Sequence, residues 1–191
     1  MNKRVPGFSL LELIIVIVIV ALLAVTALPR LLGTIDDARE ASIQGVASGY
    51  SSAVVAARTQ WEAQARPSVT SGGEKYNLVD YDGVEFWLTR SKTSAGSSTG
   101  FSDGYPLALR QSVYSETITD TDQTCVDLME NLLHSSPKVG TAAEVSSDVS
   151  LQYSAIADNA NASCTYIQQE KSSAHQFVYN IKTGRVAVTF N

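Results

Sequence analysis

The apolar run from Leu10 to Leu28 constrains this chain more than any other stretch of its sequence. It contains one charged residue, Glu12, and one hydroxyl-bearing residue, Thr26. As a helix, the 21 residues from Phe8 to Leu28 would span about 32 Å, close to the roughly 30 Å hydrocarbon core of a bilayer. Two basic residues and no acid precede the run. The positive-inside rule therefore predicts that the rest of the chain lies outside the cytoplasm.

Glu12 decides between three interpretations of this run. A carboxylate at the centre of a membrane helix costs roughly 2.5–3.5 kcal/mol on insertion scales, and less near a helix end, where Glu12 lies. A secretory signal cut after Ala27 explains the basic start, but the run is longer than a usual signal core and contains Glu12. An uncut signal anchor explains the length alone. A cut between Gly7 and Phe8 would leave the whole apolar helix on the mature protein.

The residues around that third cut site carry a family resemblance. The stretch "GFSLLE", which follows a short basic leader, resembles the processing motif of type IV prepilins. The resemblance implies cleavage after Gly7 by a prepilin peptidase, methylation of the new amino group of Phe8, and a helix that forms the filament core. Glu12 then pairs either with the amine and helix dipole of its own chain or with the Phe8 amine of a neighbouring subunit during assembly.

A second stretch narrows the resemblance. "AVTALPRLLGTIDDAREASIQG", which begins at Ala24, resembles the pilins of the mannose-sensitive haemagglutinin (MSHA) group of type IVa pili, as does "DGYP" at Asp103 to Pro106. This implies a structural subunit that polymerises with itself and other pilins for surface attachment. The implied partners are the prepilin peptidase, an inner-membrane platform protein and a cytoplasmic assembly ATPase. The chain would be a single-pass inner-membrane protein before assembly and part of an extracellular pilus afterwards.

Three alternatives stay open at this point. A minor pilin and a pseudopilin of a type II secretion system would use the same leader and the same apolar helix. A signal-anchored, exported binding or enzymatic domain would keep its first seven residues. The cut after Gly7 separates this last alternative from the other two.

Pro29 and Gly33 predict a weak joint at the end of the apolar run. Proline removes a backbone donor and clashes with the preceding turn, and glycine lowers helix propensity. Thr34 would cap a second, amphipathic helix that ends before Pro67. We expect a leader at 1–7, a membrane and filament-core helix at 8–33, an amphipathic helix at 34–66 and a head at 67–191. The joint is also a candidate for loss of helicity on assembly.

The sequence of the head predicts a β-rich domain. "YNLVDYDGVEFWLT" predicts two strands around an Asp82-Gly83 turn, and "HQFVYNI" and "RVAVTF" predict a hairpin with its turn at residues 182–184. "VDLMENLLHSS" predicts a short helix, and "SKTSAGSSTGFSDGYP" predicts a long polar loop. The predicted fold class is α+β, a long N-terminal helix packed on an antiparallel sheet, which matches the pilin fold that the resemblance implies. The final strands are expected to cover the second helix.

The two cysteines, Cys125 and Cys164, permit one disulfide. The alternative is a pair of buried free thiols, and export into an oxidising compartment favours the bridge. It would enclose 38 intervening residues, a loop for which the chain-entropy model gives roughly 3–4 kcal/mol.

No feature of the sequence predicts catalysis or a cofactor. The two histidines, His134 and His175, are 41 residues apart, and no HExxH or P-loop motif occurs. The net charge of −5 predicts no basic surface for nucleic acid. Weak calcium-ligand candidates lie around Gly83, at Asp80, Asp82 and Glu85, but they lack the EF-hand frame. Acidic turns are usually only turns, so no metal is expected.

Overall fold

The computed structural model describes residues 9–111, 114, 121–169 and 175–190. The predicted leader at 1–7 and the predicted new N-terminus, Phe8, lie outside these residues. Contacts divide the chain into one unit of residues 1–41 and a compact unit of residues 42–191. The compact unit thus begins inside the segment 34–66, which the sequence assigned to the amphipathic helix.

A single helix, α1, runs from Leu10 to Ala63. The sequence predicted two helices, and this differs from the structure, because the helical backbone continues through positions 29 to 33. Proline removes one backbone hydrogen bond, and a glycine costs about 1 kcal/mol relative to alanine. Neither outweighs the hydrogen bonds of the turns on both sides. Thr34 is not a cap, since its hydroxyl donates to the carbonyl of Arg30 at 2.9 Å, a bond made inside a helix.

Helix α1 ends three residues before the predicted limit of 66. Ala65 and Arg66 adopt left-handed φ angles of 61° and 59°, and the Arg66 N–H donates to the carbonyl of Trp61 at 2.9 Å. Pro67 follows, and a proline disfavours helical backbone at the residue before it. The helix therefore closes with a left-handed turn that reverses the chain into the first strand.

The first sheet has four antiparallel strands in sequence order. Its strands are β1 (Ser68–Ser71), β2 (Glu74–Tyr81), β3 (Val84–Leu88) and β4 (Pro106–Leu109). The turn between β2 and β3 is the predicted one: Asp82 and Gly83 have φ angles of 54° and 82°. Two positive φ angles at the central residues are typical of a type I′ hairpin turn, which matches the twist of the strands.

The second sheet has five strands, also in sequence order. The elements of this part are α2 (Thr121–Leu132), β5 (Val139–Thr141), α3 (Ala142–Val145), β6 (Tyr153–Asp158), β7 (Ser163–Gln168), β8 (Gln176–Asn180) and β9 (Arg185–Thr189). Pairing is antiparallel from β6 to β9, whereas β5 and β6 are parallel, with α3 in the connection between them. The sequence did not predict this parallel pair or the division into two sheets. The predicted β8–β9 hairpin is confirmed, and its Gly184 N–H donates to the Asn180 carbonyl at 2.8 Å.

Within the compact unit, α1 packs on the second sheet as predicted. The Tyr50 ring is fully buried, with its centroid 5.4 Å from that of Tyr166, 5.7 Å from Phe177 and 5.3 Å from Tyr179. Aromatic pairs in tilted arrangements at such distances add stabilisation beyond the area they bury. The α+β class, a long N-terminal helix on antiparallel strands, is thus confirmed.

Candidate assembly site

Helix α1 begins with a capped first turn. The hydroxyl of Ser9 accepts a hydrogen bond from the backbone N–H of Glu12 at 3.2 Å, and the N–H of Leu13 donates to the Ser9 carbonyl at 3.2 Å. Ser9 is therefore the N-cap and Glu12 the N3 residue, the two positions of a capping box. Sequence reasoning missed Ser9, although the Ser-x-x-Glu spacing signals it.

The carboxylate of Glu12 is exposed. It forms no hydrogen bond or ion pair with the residues that the structure describes. Gly7 and Phe8, the residues of the predicted cut, lie outside the described residues, so the pairing of Glu12 with a Phe8 amine stays a prediction. A carboxylate next to bare apolar side chains has a strong preference for a charged partner once water is excluded.

The helix around Glu12 presents an uncovered apolar surface. Every Leu, Ile and Val side chain from Leu10 to Leu28 is between 46% and 76% exposed. The helix is long and apolar enough to cross a membrane. Exposed apolar patches of this extent mark surfaces that associate with lipid or with other protein chains.

The predicted joint lies at the end of this surface. Pro29 has no N–H, so it cannot donate to the carbonyl of Val25, four residues earlier. Nearby, the Thr26 hydroxyl donates to the Leu23 carbonyl at 3.0 Å. A Cβ added at Gly33 would meet nothing within 4 Å, so packing does not require a glycine at this position. Gly33 thus lowers the local stability of the helix at a position where a larger residue would fit.

The three acidic residues named as weak calcium candidates serve different purposes. The carboxylate of Asp80 accepts from the Gly83 N–H at 3.0 Å, Asp82 lies 3.5 Å from His134, and Glu85 accepts from Arg110 at 2.7 and 2.8 Å. Among the described residues, no group of three His, Cys, Asp or Glu side chains is placed to hold a metal.

The predicted disulfide between Cys125 and Cys164 is confirmed, with a Cα–Cα distance of 5.6 Å. It joins α2 to β7 in the buried core. The two histidines do not meet: His134 is exposed beside Asp82, and His175 is buried beside Phe190, with ring centroids 5.7 Å apart.

Comparisons with known proteins agree with the N-terminal motif. The family model of the prokaryotic N-terminal methylation motif matches residues 2–28. A curated relative, the type IV narrow pilus major component PilA5 of Thermus thermophilus, is 40% identical over 57 residues, which are 30% of this chain and 49% of that protein. The chain thus spans about half the length of the curated relative it matches. No solved structure matches it. The matched motif and the relative thus make this chain similar to type IV pilins.

Proposed function

We propose that this chain is a structural subunit of a type IV pilus and polymerises through the apolar part of α1. The observation that carries the proposal is the uncovered apolar helix, at least 46% exposed at each Leu, Ile and Val from Leu10 to Leu28, which lies within the methylation motif matched at residues 2–28. Apolar surface gains roughly 25 cal/mol per Å² on leaving water. The bilayer covers the helix before assembly, and the helices of neighbouring subunits cover it in the filament.

Glu12 gives the assembly its register. The carboxylate needs a cation once the helix is surrounded by hydrocarbon, since unpaired charges in lipid are costly. The amine of a cleaved Phe8 on a neighbouring subunit is that cation. A subunit that docks in the wrong register leaves both charges unpaired, which disfavours every arrangement except one.

Processing and location follow from the same proposal. A prepilin peptidase cuts between Gly7 and Phe8, and Phe8 becomes N-methylated. The subunit waits in the inner membrane with its head outside the cytoplasm, and an inner-membrane platform and a cytoplasmic ATPase add it to the filament. The MSHA-like stretch from Ala24 supports an MSHA-type pilus that attaches cells to surfaces.

The variant Glu12→Gln tests this proposal, because glutamine keeps the shape and the N3 capping ability but removes the charge. In a host that assembles the wild-type chain, we expect normal cleavage after Gly7 and about a tenfold or greater loss of sheared filament. Losing one partner of a buried ion pair costs about 3–5 kcal/mol. Intact mass reports the cleavage, and an immunoblot of the sheared fraction reports incorporation.

Two control variants distinguish a loss of the Glu12 ion pair from a general effect on the structure of the helix. Glu40→Gln removes an exposed acid further along the same helix, and Ser9→Ala removes the cap but not the charge. Both should assemble close to the wild-type level. Wild-type piliation by Glu12→Gln, or an equal loss in Ser9→Ala, would contradict the proposed pairing.

The same measurements discriminate the alternatives. A chain that keeps its first seven residues in the native membrane would be a signal-anchored exported domain. A cleaved chain that is scarce in purified filaments would be a minor pilin or a type II secretion pseudopilin. Abundance as the main filament subunit supports the proposed role.

A further inference from the structure

A basic cavity of about 460 Å³ lies in the compact unit, at the C-terminal end of α1. Four cationic side chains line it: Arg66, Lys75, Arg90 and Lys92. They are four of the fourteen Lys and Arg residues in a chain whose net charge is −5. The sequence predicted no basic surface for nucleic acid, and that prediction used the net charge, which is a sum and does not report how charges are distributed. The "TRSK" stretch at residues 89–92 was its only local signal.

Two of these cations are held by acids of the protein. Arg90 is 8% exposed, lies 4.7 Å from the Tyr76 ring centroid and donates to Glu74 at 2.5 Å. The Ser94 N–H and the Arg90 guanidinium lower the pKa of the Glu74 carboxyl, so Glu74 stays ionised. Arg66 lies over the Trp61 ring at 5.3 Å. It also lies 3.8 Å from Glu62.

Lys75 and Lys92 differ from Arg66 and Arg90 because no acid of the described residues pairs with them. Both are exposed, and neither forms an ion pair within the part of the chain that the structure describes. Asp103, the acid that lines the cavity, has both carboxylate oxygens engaged by Ser91, at 2.6 Å from its N–H and 2.8 Å from its hydroxyl. The ammonium groups of Lys75 and Lys92 are therefore available to an anion from outside the chain.

The cavity walls are held in place before any ligand arrives. The Lys75 N–H donates to the Ser94 hydroxyl at 2.8 Å, and the Ser94 N–H donates to Glu74 at 3.1 Å. The amide of Asn77 donates to the Thr89 carbonyl at 2.9 Å. The polar loop after β3 is thus tied to β2 at several points. Preorganised walls reduce the entropy lost when a ligand binds.

The chemistry of the walls selects the ligand. Hydroxyl and amide side chains (Asn77, Ser91, Thr93 and Ser94) line the cavity together with the cations, which suits a molecule that carries several hydroxyls together with a negative charge. Among the described residues that line the cavity, the only aromatic ring is that of Trp61, which is 2% exposed, so these residues offer no open ring face to a nucleic-acid base. A volume of about 460 Å³ lies in the usual range for small-molecule sites.

We propose that this cavity binds an acidic sugar, a saccharide unit that bears a carboxylate or a sulfate, with Lys75 and Lys92 as the anion-binding groups. The site lies on the head and goes beyond the proposed function, since it requires no polymerisation. It would give the exported head an affinity for anionic polysaccharide.

Calorimetric titration of the full chain in a non-ionic detergent tests this proposal. The probes are a sulfated heparin disaccharide, digalacturonate and, as a neutral control, maltose. We expect one or both acidic disaccharides to bind, with lower affinity at higher salt, and maltose not to bind. The two acidic probes distinguish a preference for sulfate from a preference for carboxylate.

Matched variants locate the binding. The pair Lys75→Gln and Lys92→Gln should weaken it about tenfold or more, since hydrogen bonds to charged groups contribute about 1.5–3 kcal/mol each. The pair Lys75→Arg and Lys92→Arg should retain it. The pair Lys138→Gln and Arg185→Gln removes the same charge from exposed positions that do not line the cavity and should bind like the wild type.

Several results would overturn the proposal. These are equal binding of maltose, binding of neither acidic disaccharide, and an equal loss in the Lys138/Arg185 control. Inorganic sulfate that binds as tightly as the sulfated disaccharide would indicate a simple anion site. A short single-stranded oligonucleotide that binds where both disaccharides fail would indicate nucleic acid instead.

Discussion

The rings of Tyr50, Tyr166 and Tyr179 are fully buried in the core of the compact unit, and each of their hydroxyls has a hydrogen-bond partner. The hydroxyls of Tyr50 and Tyr166 share a hydrogen bond of 3.2 Å, and Tyr166 also donates to the Cys125 carbonyl at 2.8 Å. Tyr179 donates to the Pro106 carbonyl at 2.8 Å. Burial disfavours the ionised phenolate, and it raises the pKa of all three tyrosines above the ordinary value near 10. The free energy of unfolding should therefore depend on the ionisation of these three hydroxyls at alkaline pH.

The free energy of unfolding should fall steeply above pH 10. There the unfolded chain loses tyrosine protons that the folded chain keeps, so each raised pKa contributes stability that is complete below pH 10 and is lost as the pH rises. Three such groups predict a slope of roughly 4 kcal/mol per pH unit. Denaturant unfolding between pH 8 and 11.5 measures it, and Tyr179→Phe should remove about a third of the slope. An identical slope in Tyr179→Phe would be evidence against this origin.

At the scale of elements, α1 combines an uncovered apolar part and a part that packs in the core of the compact unit. Residues 10–28 carry an apolar surface on all sides, whereas residues 42–63 bury a face built from Ile43, Tyr50, Val54 and Ala57. Pro29 and Gly33 lie between these parts, and the residues from 33 to 38 are all exposed. Local opening concentrates where buried contacts are few. We therefore keep the proposal that this joint loses helicity on assembly.

Gly33→Ala tests the joint. The added Cβ meets nothing within 4 Å, so the substitution should stabilise the helix by about 1 kcal/mol and slow hydrogen exchange of the amides near residue 33. If the joint must unwind, filament yield should fall. Gly45→Ala is the matched control, since its Cβ also meets open space on the same helix. Equal yields from both variants would rule out a required loss of helicity.

Local patterns predicted the elements whose contacts are local. The Asp82-Gly83 turn and the turn at Gly184 each need left-handed backbone, which short turn sequences signal directly. The same reasoning failed at Thr34, because a threonine after glycine resembles an N-cap whether or not the helix has ended. Glu12 was predicted as a site residue because of its charge, whereas Ser9, which caps the helix, was not predicted, although the Ser-x-x-Glu spacing signals it.

At the scale of the whole molecule, the features that sequence reasoning missed depend on distant residues. Parallel pairing of β5 with β6 requires a crossover, and periodicity alone does not reveal strand direction. The basic cavity brings Arg66 at the end of α1 together with Lys75 on β2 and Lys92 beyond β3. The three lie too far apart in the sequence for a periodicity window of about 11–18 residues to contain them all. The disulfide was predictable because two cysteines allow one pairing.

That disulfide is expected to be the main long-range constraint on the head. It connects residues 39 apart, on α2 and β7, and limits the conformations of the unfolded chain. The double variant Cys125→Ala, Cys164→Ala should lose about 3–4 kcal/mol of unfolding free energy. Guanidinium unfolding of the full chain in detergent measures this, and wild-type protein unfolded with and without reductant is the control. The reduced wild type should match the double variant. A loss below about 1 kcal/mol in both would mean that core packing around Tyr166 and Met129, both fully buried, holds α2 on the sheet without the bridge.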